Sequence, residues 1–94
     1  MQSILQEHKA CYVTGRTWGL HKHHVFAGSR RKAAEEWGCF IWLIPELHNG
    51  DYRRAIHFNQ AFDREVKQEC QRAFEARYGR AKFMQVFGKN YLED

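Results

Sequence analysis

The clearest pattern of hydrophobic positions lies in the C-terminal half of the chain. From Phe58 to Tyr78, apolar residues recur every three or four places, which is the spacing of an amphipathic helix, and Gly79 ends the pattern. A shorter apolar group, from Phe83 to Phe87, lies before Gly88 and predicts a second helix. The sequence therefore predicts two C-terminal helices that pack on the rest of the chain.

Two short β-prone runs lie in the segment CYVTGRTWGLHKHHVF, which covers residues 11–26. They surround the turn residues Thr14-Gly15-Arg16 and Trp18-Gly19. Runs of this kind that flank turn residues are typical of a β-hairpin. We therefore predict a hairpin within this segment.

The middle of the chain predicts a helix and then a strand. Residues 29–37 hold helix formers between Ser29, a residue type that caps helices, and Gly38, a residue type that ends them. The apolar run CFIWLI follows, and because Pro45 closes it, it predicts a buried strand. The polar segment beyond Pro45 predicts a loop or a broken helix. Together with the hairpin and the two C-terminal helices, these elements predict an α+β fold.

Length and composition predict one small domain that spans residues 1–94. Hydrophobic residues make up 44% of the chain, which is enough for one compact core. The longest apolar run, residues 39–45, is far shorter than the roughly 20 residues that span a membrane, and the first residues lack the apolar segment of a signal peptide. We therefore expect a cytoplasmic protein that does not act at a membrane.

Net charge and cysteine content exclude few classes of function. The formal net charge of +4 permits a polyanionic partner without requiring one, because acidic and basic residues are mixed along the chain. The cysteines Cys11, Cys39 and Cys70 are odd in number and form no C-x-x-C pair. This arrangement favours free thiols in a reducing compartment over a disulfide framework.

Histidine is the unusual feature of the composition. Five of the six histidines lie in the centre of the chain, at His21, His23, His24, His48 and His57. Strand alternation sends the first two to one face and His24 to the other. Neutral imidazole is a common ligand of transition metals, and it is also a general base near neutral pH. This density favours a metal site with a neighbouring base, whereas a single strand histidine is usually a solvated or hydrogen-bonded side chain.

Several other polar residues have both a functional and a structural interpretation. The basic residues of the central region can contact phosphates or form an ordinary solvated surface, and the second interpretation is slightly favoured. These basic residues are Arg30, Arg31, Lys32, Arg53 and Arg54. Glu46 and Asp51 can accept hydrogen bonds from ligand histidines or remain solvated. Cys11 can be a fourth metal ligand, although a buried thiol is the simpler interpretation.

Four segments of this chain together resemble a known family. They are CYVTGRTWGLHKHHVF, WLIPELHN, IHFN and FGKNYL, and they are similar to the small phage-encoded HNH endonuclease-like proteins over residues 11–92. The resemblance implies a ββα-metal (HNH-like) core in which His23 is a metal ligand and His24 is the general base. It also implies His48 and His57 as further ligands, with support from Asn49, Asn59, Cys11 and His21.

Two functions are compatible with this resemblance. The first is a DNA endonuclease or nickase that uses a divalent ion held by histidines and His24 as the base. The second is a non-catalytic zinc-binding phage protein that inhibits a host defence nuclease, such as a CRISPR effector, by binding it (an anti-CRISPR role). The second explains why the two C-x-x-C pairs of the family's zinc knuckle are reduced here to Cys11. An all-histidine ligand set favours zinc, with magnesium or manganese as alternatives for a nuclease.

Overall fold

A computed structural model describes residues 2–50 and 53–92 of the protein. Its architecture is α+β, as the pattern of hydrophobic positions predicts. One two-stranded antiparallel sheet is accompanied by helices. In chain order, the elements are strand β1 (His21–His24), a 3-10 turn (Gly28–Arg30), helix α1 (Arg31–Glu36), strand β2 (Phe40–Leu43), a π-helical turn (Glu46–Gly50), helix α2 (Gln60–Tyr78) and helix α3 (Arg80–Phe87).

The sheet joins two strands that are separated in sequence by α1. In the register of β1 and β2, His23 lies opposite Ile41 and His24 lies opposite Phe40. Because paired residues share a face and successive residues alternate, the two neighbouring histidines point to opposite sides of the sheet. The two side chains therefore leave β1 in opposite directions and meet different neighbours.

The hairpin predicted within residues 11–26 is wrong. Residues 11–20 form turns, and their ladder contact with the sheet is an isolated parallel bridge between Cys11 and Trp42. Gly15 and Gly19 have positive φ angles of 80° and 62°, which turn the chain and interrupt a strand. Val13 and Trp18 in this segment are exposed, whereas Cys11 lies in the core. Three of the four residues of β2 are buried, so β2 provides a better partner for β1.

The other predicted elements are confirmed, with shifted boundaries. Strand β2 lies within the apolar run CFIWLI, and the helix expected at residues 29–37 is the 3-10 turn followed by α1. Helix α2 begins at Gln60, because the side chain of Asn59 accepts a hydrogen bond from the Phe62 backbone N–H at 3.0 Å and caps the helix. Phe58, which the pattern placed in this helix, lies before it and is 59% exposed.

The core forms where α2 and α3 cover the inner face of the sheet. Phe74 of α2 and Phe83 of α3 are completely buried, and their ring centroids lie 5.4 Å apart. Phe26, just beyond β1, contacts both Phe83 and Phe87. Burial of each such ring stabilises the fold by about 2–3 kcal/mol. The two C-terminal helices therefore hold β1, and with it the histidines, in place.

Two further predictions can be compared with the fold. The three cysteines are free and buried, as their number and spacing predict. Within the described part of the chain, none of the helices combines the length and the apolar character that crossing a membrane requires.

Candidate metal centre

Three histidines from three different segments meet beside the sheet. His23 comes from β1, His48 from the π-helical turn, and His57 from the turns before α2. One ring nitrogen from each lies within 4.8 Å of those of the other two. The ring centroid of His23 lies 5.4 Å from the ring centroid of His48 and 5.2 Å from that of His57. This group, which we call the histidine cluster, is close enough to hold one metal ion.

Backbone hydrogen bonds bring the second and third of these histidines to the first. The N–H groups of Leu47 and His48 both donate to the carbonyl of Ile44, at 3.0 and 3.1 Å, and so turn the chain directly after β2. The Leu47 side chain is buried and anchors this turn. The N–H of Ile56 then donates to the Leu47 carbonyl at 2.7 Å. This bond closes the loop and places His57 beside His48.

Two rings of the cluster, those of His23 and His48, favour the neutral form. Burial, together with the nearby His48 and His57, lowers the pKa of His23 from 6.5 to about 3. Burial and the neighbouring His57 and His21 lower the pKa of His48 to about 4. At neutral pH the rings of His23 and His48 are therefore uncharged, and the uncharged imidazole is the form that binds a metal ion.

One ring nitrogen of the cluster has no hydrogen-bond partner in the described part of the chain. His23 is 5% exposed, and its Nε2 is buried without a partner among the described residues. A buried polar atom without a partner is costly, since it has lost its hydrogen bonds to water. A metal ion coordinated by this nitrogen would remove that cost. The residues present therefore fit a metal ion.

His21 extends the cluster towards solvent. Its Nδ1 lies 3.2 Å from Nδ1 of His48, while Nε2 of His48 lies 3.0 Å from Nε2 of His57. A neutral imidazole has one donor and one acceptor nitrogen, so His48 can donate on one side and accept on the other. When Nε2 of His48 faces a metal ion, His21 is in position to accept from Nδ1 and fix the ring.

His24 occupies a different environment on the opposite face of the sheet. Its Nε2 lies 2.8 Å from Oε1 of Glu35, a residue of α1. The same carboxylate accepts two hydrogen bonds of 3.2 Å from the Lys22 ammonium. These bonds from His24 and Lys22 lower the pKa of Glu35 below its usual value. An ionised carboxylate can only accept hydrogen bonds, so Nε2–H of the imidazole donates to Glu35 and the lone pair of the ring lies on Nδ1.

The ring of His24 also lies between two open grooves. One groove, of about 650 Å³, is lined by His24, Arg31 and Lys32 together with acidic and small residues of the same region. The other, of about 220 Å³, is lined by His24 together with His23 and His57 of the cluster. The side chain of His24 is only 12% exposed. Through the smaller groove it shares a surface depression with His23 and His57.

The remaining residues singled out from the sequence lie in several places. Asn59 caps α2, and Asn49 is exposed on the π-helical turn. Cys11 is buried outside the histidine cluster, and its sulfur accepts a hydrogen bond of 3.5 Å from the N–H of Thr14. These positions give Asn59 and Cys11 structural contacts of their own.

The predicted phosphate contacts also separate. Arg30 donates to the carbonyl of Val86 at 3.2 Å, so it binds the end of α3. Arg31 lines the groove beside His24, and Arg53 and Arg54 are exposed in the turns before His57. Of the two acids considered as outer partners, Glu46 is exposed. The other, Asp51, lies outside the described residues.

Sequence reasoning missed Glu35. Glu35 and Glu36 are adjacent acids in a short helix, and nothing in the pattern distinguishes them. Only the pairing of β1 with β2 brings α1 alongside β1 and turns Glu35 towards His24. The signal available in the sequence was the placement of a short helix between two strands, which can put a carboxylate beside a strand histidine.

Comparison with known proteins adds no further constraint. No protein-family model, no curated protein and no solved structure matches this chain. The geometry of the histidines and the sequence motifs therefore remain the observations that bear on function.

Proposed function

We propose that the protein is a metal-dependent DNA endonuclease or nickase of the HNH type. The observation that carries this proposal is that two adjacent histidines of β1 have different surroundings. His23 points into a cluster of three imidazoles, while its neighbour His24 points to a carboxylate on the other side of the sheet. A metal site with a separately oriented base beside it is the arrangement that hydrolysis of a phosphodiester requires.

The metal site of this proposal consists of His23, His48 and His57. Three nitrogen ligands with a fourth position left for substrate or water are typical of catalytic zinc sites. The absence of a carboxylate in this set favours zinc over magnesium, which prefers oxygen ligands. When bound, the ion supplies positive charge that polarises the phosphodiester and stabilises the leaving oxygen.

In this mechanism His24 is the general base and Glu35 is its positioning residue. The carboxylate accepts a hydrogen bond from Nε2–H, so Nδ1 is the atom that takes a proton from the attacking water. After that transfer the ring is an imidazolium, which the negative charge of Glu35 stabilises. Lys22 holds the carboxylate in place by its two hydrogen bonds.

The first experiment measures the metal content of the purified protein and its nicking of a supercoiled plasmid with zinc, magnesium or manganese. We expect His24→Ala to keep the metal and lose cleavage, and His48→Ala to lose both. His8→Ala is the matched control, because His8 lies outside the cluster, and it should behave like wild type. Full metal stoichiometry in His48→Ala would contradict the ligand assignment.

The same experiment distinguishes the alternative function. Stoichiometric zinc without nicking under any of the three metals would overturn the endonuclease and support a non-catalytic protein that acts by binding, such as an inhibitor of a host defence nuclease. Under that alternative His24→Ala would leave the binding function unchanged, since no proton transfer is involved.

A further inference from the structure

A groove continues from the histidine cluster along the first turns of α2. Its part nearest the cluster, of about 220 Å³, is lined by His23 and His57 and by residues of α2. The adjoining part, of about 310 Å³, is lined by α2 and the C-terminal tail. Gln60, Asp63 and Lys67 line both parts. The two parts therefore adjoin each other at these three side chains, and together we call them the α2 groove.

Lys67 stands at the junction of the two parts. Its Nζ lies 2.7 Å from Oδ2 of Asp63, one helical turn earlier, and its side chain remains 25% exposed. Its positive charge is also one of the causes that lower the pKa of His23. The lysine is thus held by α2 within electrostatic reach of the cluster, while its ammonium still faces the groove.

The outer part of the groove carries more cations. The ring of Tyr91 has the ammonium of Lys67 at 5.6 Å from its centroid and that of Lys89 at 5.2 Å. Cation–π contacts of this kind hold the two charges on one wall. Arg64 lines the same part. Against these three cations, Asp63 is the one acid among the described residues that line the groove.

We propose that the α2 groove binds the phosphodiester backbone of DNA. Lys67 holds the phosphate next to the one at the histidine cluster, and Lys89 holds a phosphate further along the same strand. Lysine is a common phosphate-binding residue, and a row of cations that leads to a reactive centre fixes the position of a strand on the protein. The inference rests on the proposed function for the identity of its substrate.

Binding without metal tests the groove separately from cleavage. Fluorescence anisotropy of a labelled thymidine oligonucleotide, and of a duplex of equal length, is measured in EDTA over a series of salt concentrations. Lys67→Gln and Lys89→Gln should each weaken binding roughly tenfold. Each should also reduce the slope of log K against log salt by about 0.7 for the single strand or 0.9 for the duplex.

Lys82→Gln is the matched control, because Lys82 lies over the Trp37 ring and not in the groove. It removes the same charge and should change binding far less. Equal losses in all three variants, or no binding of either probe, would overturn the groove assignment. Binding that depends on Lys67 and Lys89 in a protein that never cleaves would retain the groove and reject the nuclease. Cleavage that neither substitution affects would retain the nuclease and reject the groove.

Discussion

Two adjacent histidines show how much the environment of a residue decides. His23 is surrounded by apolar core and other imidazoles, so it stays neutral and offers a lone pair. His24 is one residue further along the strand, yet it lies beside a carboxylate. The alternation of a β-strand is the cause of this difference. Residue types alone indicated a metal ligand and a base, but the carboxylate that orients the base came from a distant helix.

Removal of that carboxylate tests the orientation of His24. Glu35→Gln keeps the shape of the side chain but removes its negative charge, so we expect the cleavage rate to fall by about 10²–10⁴-fold, the range that a positioned base contributes. The metal content should stay unchanged, because Glu35 lies outside the cluster. Glu36→Gln is the control, since Glu36 is exposed on the same helix. Equal rates in both variants would show that Glu35 plays no part.

The buried, neutral state of His23 predicts how the stability of the metal-free protein changes with pH. Its pKa is about 3 in the folded state and close to 6.5 when exposed. Unfolding therefore takes up a proton in acid, so this contribution is complete above pH 6.5 and is lost as the pH falls towards 3. Between pH 6.5 and 5 the loss from His23 is about 2 kcal/mol.

Urea unfolding in EDTA at pH 7 and pH 5 measures this loss. The substitution His23→Gln should reduce the difference between the two pH values by roughly that amount, because glutamine does not titrate in this range. His8→Gln should leave the difference as it is in wild type. An unchanged difference in His23→Gln would assign the pH dependence to other groups.

At the scale of elements, the spacing of apolar residues predicted those helices and strands whose positions depend on the local sequence. The stripe of α2, the apolar run of β2 and the glycines that end α2 and α3 all lie where the pattern placed them. The sequence did not predict which strand pairs with β1. Neighbouring β-prone runs around turn residues favour a local hairpin, whereas the actual pairing depends on which strand buries more apolar surface. The predicted loop beyond Pro45 includes a short π-helical turn, and its hydrogen bonds position His48.

The start of α2 raises a question about Asn59, which is both a predicted supporting residue and a helix cap. Asn59→Ala should lower the free energy of unfolding by about 1 kcal/mol, because a cap is lost. Asn59→Asp keeps a capping oxygen, and we expect it to keep both the stability and the nicking rate of wild type. Urea unfolding and the plasmid assay check the two expectations. Normal stability with lost cleavage in Asn59→Asp would instead give the amide a role at the site.

At the scale of the whole molecule, the histidine cluster joins side chains from three segments of the chain. A ligand that binds only the folded state stabilises it by about 2.7 kcal/mol when its free concentration is 100 times Kd. The sequence motifs named the three histidines, but their convergence depends on the sheet pairing and on the bond from Ile56 to Leu47. Such long-range arrangements are not encoded in any local pattern.

Thermal unfolding with and without zinc measures this linkage. A stabilisation of that size should raise the unfolding midpoint by roughly 10–20 °C in a domain of this length. His48→Ala should remove the zinc-dependent part of the midpoint, and His8→Ala should keep it. If zinc raises the midpoint of His48→Ala as much as that of wild type, the ion binds elsewhere.

The placement of the three cluster histidines also has a kinetic consequence. His23 is separated in sequence from His48 by α1 and β2, so we expect the site to form only once the sheet pairing has brought the two segments together. An ion taken up at that late stage would leave the folding rate almost unchanged, because its contacts would be absent from the transition state. It would slow unfolding instead and lengthen the lifetime of the native state.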